Sequence, residues 1–239
     1  MKIELTNMET LPRAKAHKFP IQIAFQTMEF MQGSIFHQIL SDTASGQRVR
    51  QRNAIDEIEQ ELLQEGMDKS TWEESWKYLQ KYQEIFTKSA RQSVLITLRS
   101  QWDWYISHLG KFINDNYLYV FDKELSSNKQ KDLLRIGFKE ITHQIKILSK
   151  VINENIDIDL QTKDYLNEMS LVRNLGLHNR WEVDHFYLQK TKSSGWKFRE
   201  VRLFEINELE MWHSSLIRLI NSTWKPVAIK FKDAPEYTI

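Results

Sequence analysis

Between Ser70 and Asn116 the chain carries one glycine, Gly110, and no proline. A stretch that long without a breaker implies one very long helix, a kinked one, or two that abut. Ser70 with Glu73 three residues later is a capping-box start for it. Its second half places Leu95, Leu98, Trp102, Tyr105, Leu109 and Phe112 at alternating steps of three and four, the stripe of a helix face turned to a core. Breakers are scarce throughout, with seven Gly and four Pro in 239 residues, while Trp occurs eight times. Long helices around an aromatic core are expected.

The rest of the chain reads the same way until one change of period. Residues 1–18 lack a pattern and lead to Pro20, which suits a first helical turn. Phe19 to Leu40 is expected to be helical, with Gly33 as the point where it can break. A helix from Arg48 to Glu65 follows, stopped by Gly66, with a basic start and acidic middle that read as a solvated face. After Ser126-Ser127-Asn128, the residues Leu134, Phe138, Ile141, Ile145, Leu148 and Ile152 mark another helix. Thr162 to Leu177 is a further one, with Leu166, Met169 and Val172 inward. Val183, His185 and Tyr187 then alternate with their neighbours, and Trp196 to Phe204 mirrors them across the turn-rich Gln189–Gly195, a β-hairpin pattern. Asn207 with Glu210 caps a last helix bearing Leu209, Trp212, Leu216 and Leu219. Val227 to Phe231 is left as a short strand or a surface tail. The expected architecture is mainly α, a helical bundle with a small β-hairpin before the last long helix. An N-terminal helical region (1–84) precedes the main domain (85–239).

Composition bounds the chemistry. With 41% hydrophobic residues the chain can bury a core. The absence of Cys excludes disulfides, Cys-ligated metals and a thiol nucleophile. A net charge of +1 argues against a general nucleic-acid coat. The N-terminus lacks an apolar export core, and residues 19–41 are too polar to span a bilayer, so a cytoplasmic protein without a membrane partner is expected. No Gly-rich phosphate loop, nucleophile elbow or His-Glu-x-x-His motif occurs. No two of the seven His stand at helical zinc-ligand spacing, so neither metal nor cofactor is expected.

The segment Glu168-Met-Ser-Leu-Val-Arg173-Asn174-Leu-Gly-Leu-His178-Asn179 stands out. It puts an Arg, an Asn and a His within six residues at the end of an apolar helix. On an unbroken helix Arg173 and His178 stand about 140° apart, five steps of about 100° each. The helix must end near Gly176, or a second chain contribute, for them to converge. From Arg173 to Arg202 there are seven basic residues against three acidic ones, a basic patch that suits RNA docking. Trp181, Phe186, Tyr187 and Trp196 stand among them as stacking or packing aromatics.

Arg173-x4-His178, with Asn174 after the Arg, resembles the Arg-x4-6-His motif of the HEPN superfamily. The helices at about 85–115, 130–152, 162–177 and 206–222 resemble that family's four-helix arrangement. Ile136-Gly-Phe-Lys-Glu-Ile-Thr-His-Gln-Ile-Lys is similar to its second helix. Asp103 falls where many relatives carry an acidic residue. Trp181 departs from the small or turn-forming residue that relatives carry there. The resemblance covers roughly 85–222 and implies a metal-independent endoribonuclease of toxin–antitoxin or phage-defence type. It implies a homodimer in which two His178 act as base and acid, Arg173 steadies the phosphate and Asn174 orients substrate or His. Asp103, Arg180, His185, Lys190 and Lys192 are candidate substrate contacts, RNA the partner, and an antitoxin or other regulatory protein a further one. The alternatives are a non-catalytic HEPN-like scaffold that dimerises and binds RNA or nucleotide, and a helical interaction protein whose Arg and His only cap a helix.

Overall fold

The structure, a computed structural model, describes residues 16–50, 60, 68–191 and 195–237. Among them seven α-helices follow in order: α1 (Lys18–Arg50), α2 (Lys69–Phe121), α3 (Ser127–Leu134), α4 (Ile141–Ile152), α5 (Leu160–His178), α6 (His185–Thr191) and α7 (Ile206–Lys230). The protein is mainly helical, and no helix among the described residues is long and apolar enough to cross a membrane. Most of the helix expected over 48–65 lies outside the described residues.

The breaker-free stretch is one helix, α2, of 53 residues, about 80 Å long at 1.5 Å per residue. All six stripe residues from Leu95 to Phe112 are fully buried. α1 packs along α2 and α7 and does not break at Gly33, where an added Cβ meets nothing within 4 Å. Gly33→Ala is therefore expected to stabilise the protein by about 1 kcal/mol, read as a rise of a few degrees in melting temperature. The boundary expected between residues 84 and 85 falls inside α2, and Phe19, Ile23, Met31 and Ile35 of α1 share one core with Phe112, Trp212 and Phe231.

Three expectations fail locally, and the first two failures have a physical cause. The helix expected over 130–152 is broken: a 3-10 turn, Ile136–Phe138, separates α3 from α4. Leu133 and Ile136 sink fully against α2 at Gly110, and Gly137 presses on it so closely that a Cβ would lie 2.1 Å from Ser107 Oγ. That approach requires the kink, and it turns Leu134 and Phe138 outward, Phe138 to 88% exposure. The β-hairpin is not formed among the described residues either. Asp184 accepts a hydrogen bond from the Tyr187 backbone N–H (2.7 Å), capping α6 where a strand was expected. Only a single antiparallel bridge, Glu182 with Val201, joins the two sides. Pro226 is accommodated inside α7, so Val227 to Lys230 is helix, not strand or tail.

His213 on α7 is 1% exposed, and its Nε2 has no partner. Burial pushes its pKa down to about 4 from 6.5. Below pH 6.5 the unfolded chain takes up a proton that the folded one refuses, so stability is full above that pH and falls below it. About 2 kcal/mol is expected to be lost between pH 6.5 and 5. His213→Leu removes that slope from a series of melts against pH.

Candidate functional site

Asp159 starts α5 by accepting from the backbone N–H and the hydroxyl of Thr162 (2.8 and 2.7 Å). The side-chain hydrogen bond, seconded by the backbone one, holds its pKa below the ordinary value. The helix then runs through Gly176 to His178 without ending early. Gly176 is there for space: a Cβ would lie 2.4 to 2.7 Å from the ring of Trp181. Arg180 and Trp181 both take left-handed φ values (52° and 68°), and the N–H groups of Asn179 and Trp181 both donate to the Leu175 carbonyl. That reversal folds the indole back over α5, where it packs on Phe204. Its consequence is geometric. Arg173 and His178 sit on one continuous helix and diverge by about 140°.

Arg173 belongs to a cluster with α2. Arg99 grips Asp103 with Nε (3.0 and 3.1 Å) and Nη2 (2.9 Å), and also donates to Ser170 Oγ and the Lys139 carbonyl. Gln144, buried beside them, accepts from the Trp102 indole and donates to the Ile136 carbonyl. Arg173 itself donates from Nη1 to Asn174 (3.2 Å), while its buried Nε has no partner. Burial, and then the charge of Arg99, lower its pKa, against the opposing pull of Asp103. Two guanidiniums thus feel the charge of one carboxylate, which Arg99 binds. The cluster holds a surplus positive charge with a hydrogen-bond donor unused.

His178 faces elsewhere. It lies exposed on a shallow depression of about 380 Å³ with Asn179, Arg180, Glu182, Phe198 and Arg199. Backbone bonds from Val183 N–H to Glu200 and from Arg199 N–H to Val183, both 2.8 Å, bring the second segment across. His185 stacks on Phe198 (4.1 Å, 13°), and Arg199 lies over the same ring. Lys190 lies over the exposed ring of Phe186. Lys192 lies outside the described residues.

The basic patch is smaller than the sequence count. Arg202 is buried, held by Glu168 (2.9 Å), Glu208 (2.6 Å) and the Tyr187 hydroxyl (3.0 Å), with its guanidinium over Trp196. Arg180, Lys190, Lys197 and Arg199 are exposed, with Glu182 and Glu200 exposed among them. Tyr187 is buried and Trp181 and Trp196 are packed, leaving Phe186 and Phe198 as the exposed rings. The structure therefore brings His178 together with Arg180 and places His185 beside them on Phe198. It sets Arg173, Asn174 and Asp103 apart from that depression. Phe198 and Arg199 were not singled out from sequence as site residues; Arg199 was visible only as one charge in the basic run. No protein-family model matches this chain, nor does any curated protein or solved structure.

Proposed function

We propose that the protein is a metal-independent endoribonuclease whose active centre is completed by a second copy of the chain. The observation that carries this reading is His178: an exposed imidazole with no hydrogen bond to a described residue, flanked by the guanidinium-bearing Arg180 and Arg199. An imidazole titrates near neutrality and serves as either proton donor or acceptor. Arginine forks match the non-bridging oxygens of a phosphate. In the proposed reaction the ribose 2′-oxygen attacks phosphorus and its proton passes to one His178. The bond to the 5′-oxygen breaks, and the second copy's His178 supplies the proton to that oxygen. The products are a 2′,3′-cyclic phosphate and a 5′-hydroxyl. Because Arg173 diverges from His178 within one chain, its surplus charge serves a scissile phosphate shared across a twofold axis. Asn174 orients substrate there, and Asp103 holds Arg99 in place. A toxin or phage-defence role and an antitoxin partner follow from the resemblance to the HEPN superfamily, and a chain without Cys suits a cytoplasmic setting.

A second reading rests on a specific observation. Arg173 feels the charges of Arg99 and Asp103 and does not line the depression that holds His178, which suits a scaffold that binds RNA without cutting it. Incubating the protein with single-stranded RNA in excess chelator separates the two. Cleavage that leaves 5′-hydroxyl ends, ready for a kinase without prior dephosphorylation, is the expected result. Binding without cleavage would establish the scaffold instead, and neither would leave a helical interaction protein.

A further inference from the structure

A cavity of about 630 Å³ opens between α4, the 153–159 linker and α5, away from the His178 depression. Its floor is aliphatic: Ile141, Ile145, Ile156, Ile158 and Leu166 line it, each no more than 8% exposed. Its rim is cationic. Lys146 and Lys150 stand one turn apart on α4, Lys163 faces them from α5, and all three are exposed. None of the three pairs with a described acidic residue, whereas nearby Glu154 is engaged by Lys230 (3.1 Å) and Asp159 by Thr162.

A hydroxyl at the rim is also left with a free proton. Ser34, Ser93, Ser107 and Ser170 each donate to the carbonyl four residues back, the ordinary bond of a helical serine. Ser149 makes no such bond; its Oγ instead accepts from the Ile156 N–H (3.3 Å). Its hydrogen is therefore available to an acceptor in the cavity that it lines. The same bond, with Asn153 in the left-handed conformation (φ 54°), draws the linker back over the end of α4. Asn155, Ile156 and Ile158 of the linker thereby join α4 and α5 in lining the cavity, a cup walled by three segments.

We infer that this cup binds a small anionic amphiphile, its alkyl chain on the aliphatic floor and its head among Lys146, Lys150, Lys163 and Ser149. The volume lies in the range of small-ligand sites. No aromatic side chain lines it, which disfavours a nucleobase, since bases are held by stacking. An alkyl chain asks only for apolar contact area, and its anionic end asks for the cations at the mouth. A carboxylate and a phosphate monoester present the same chemistry to that rim.

Calorimetric titration of the full chain with dodecanoate, and separately with dodecyl phosphate, both below the concentration at which they aggregate, tests the inference and distinguishes the two heads. Saturable binding of at least one probe at a single site is expected. Lys146→Met/Lys150→Met/Lys163→Met should weaken it about tenfold, as three solvent-exposed charge contacts would. Ser149→Ala should weaken it a few-fold. Dodecanol, which lacks the charge, and adenosine monophosphate, which lacks the chain, should bind at least tenfold more weakly. The three lysines are exposed, so the triple variant keeps the wild-type melting curve. Failure of both probes to saturate, equal binding by the triple variant, or equal binding of adenosine monophosphate would each overturn the inference. RNA cleavage by the same preparation is unaffected by any of these outcomes.

Discussion

His178→Ala is expected to lower RNA cleavage by about a hundredfold to ten-thousandfold, the range for removing a positioned proton-transfer group, while leaving the melting temperature unchanged. The side chain is exposed at the end of α5 and makes no hydrogen bond or ion pair with a described residue. Arg180→Ala and Arg199→Ala should each cost less in turnover and more in salt-dependent RNA affinity, because they meet phosphate charge. Arg173→Ala is informative for a different reason. If its guanidinium serves a centre that holds both His178 side chains, Arg173→Ala alone lowers cleavage, and mixing it with His178→Ala protein restores nothing, since the mixed dimer keeps only one of the two imidazoles. Full activity of His178→Ala, measured as 5′-hydroxyl ends released from RNA in chelator, would remove the basis of the nuclease reading.

The largest expected loss of stability comes from Arg202→Met, about 3 kcal/mol. This guanidinium is buried at the junction of the 182–204 segment, α5 and α7. Burial disfavours its charge, but the hydrogen bonds it donates to Glu208 and Tyr187 more than offset that, so its pKa is raised above the ordinary arginine value. Removing one member of such a network leaves charges without their partner, which costs 3–5 kcal/mol when all are buried. Glu168 and Glu208 retain some access to water (36% and 24%), which places the loss at the lower end. At about 2–4 °C per kcal/mol for a chain of this size, the melting temperature should drop by roughly 6–12 °C. A double variant that also carries Glu208→Leu should recover part of the loss. Helix content by circular dichroism should stay unchanged in both, which separates a packing loss from a failure to fold.

Periodicity made the helices legible. Leu95 to Phe112 recurs at three and four and is buried at every position, because a single uninterrupted helix preserves phase. The same signal misled over 134–152. Leu134 and Phe138 continue the phase of Ile141 and Ile145 across a break that keeps no phase at all, and both face water. Gly137 was the local sign, but its meaning, contact with Ser107 more than a turn of chain away on α2, is tertiary. The strand pattern at 183–188 was short enough for Asp184 to decide otherwise by capping a helix. In the site, Arg173, Asn174 and His178 were visible as a spacing, while the meeting of His178 with Phe198 and Arg199 was not. That meeting depends on the reversal at Arg180 and Trp181 and on one bridge across nineteen positions, Glu182 to Val201.

His17 ties together segments from near opposite ends of the chain. Its backbone N–H donates to Ala228 and its Nδ1 accepts from Phe19, which leaves Nε2 to carry the proton to the Pro235 carbonyl (3.0 Å). Phe19, Phe112, Phe231 and Tyr237 stack around that knot. On the ribosome, α1 and α2 are made long before their aromatic cover exists. The growing chain must carry an open apolar seam until Phe231 and Tyr237 leave the exit tunnel. The bundle closes only once that cover has emerged, and a nascent chain stalled short of Phe231 is a substrate for chaperones.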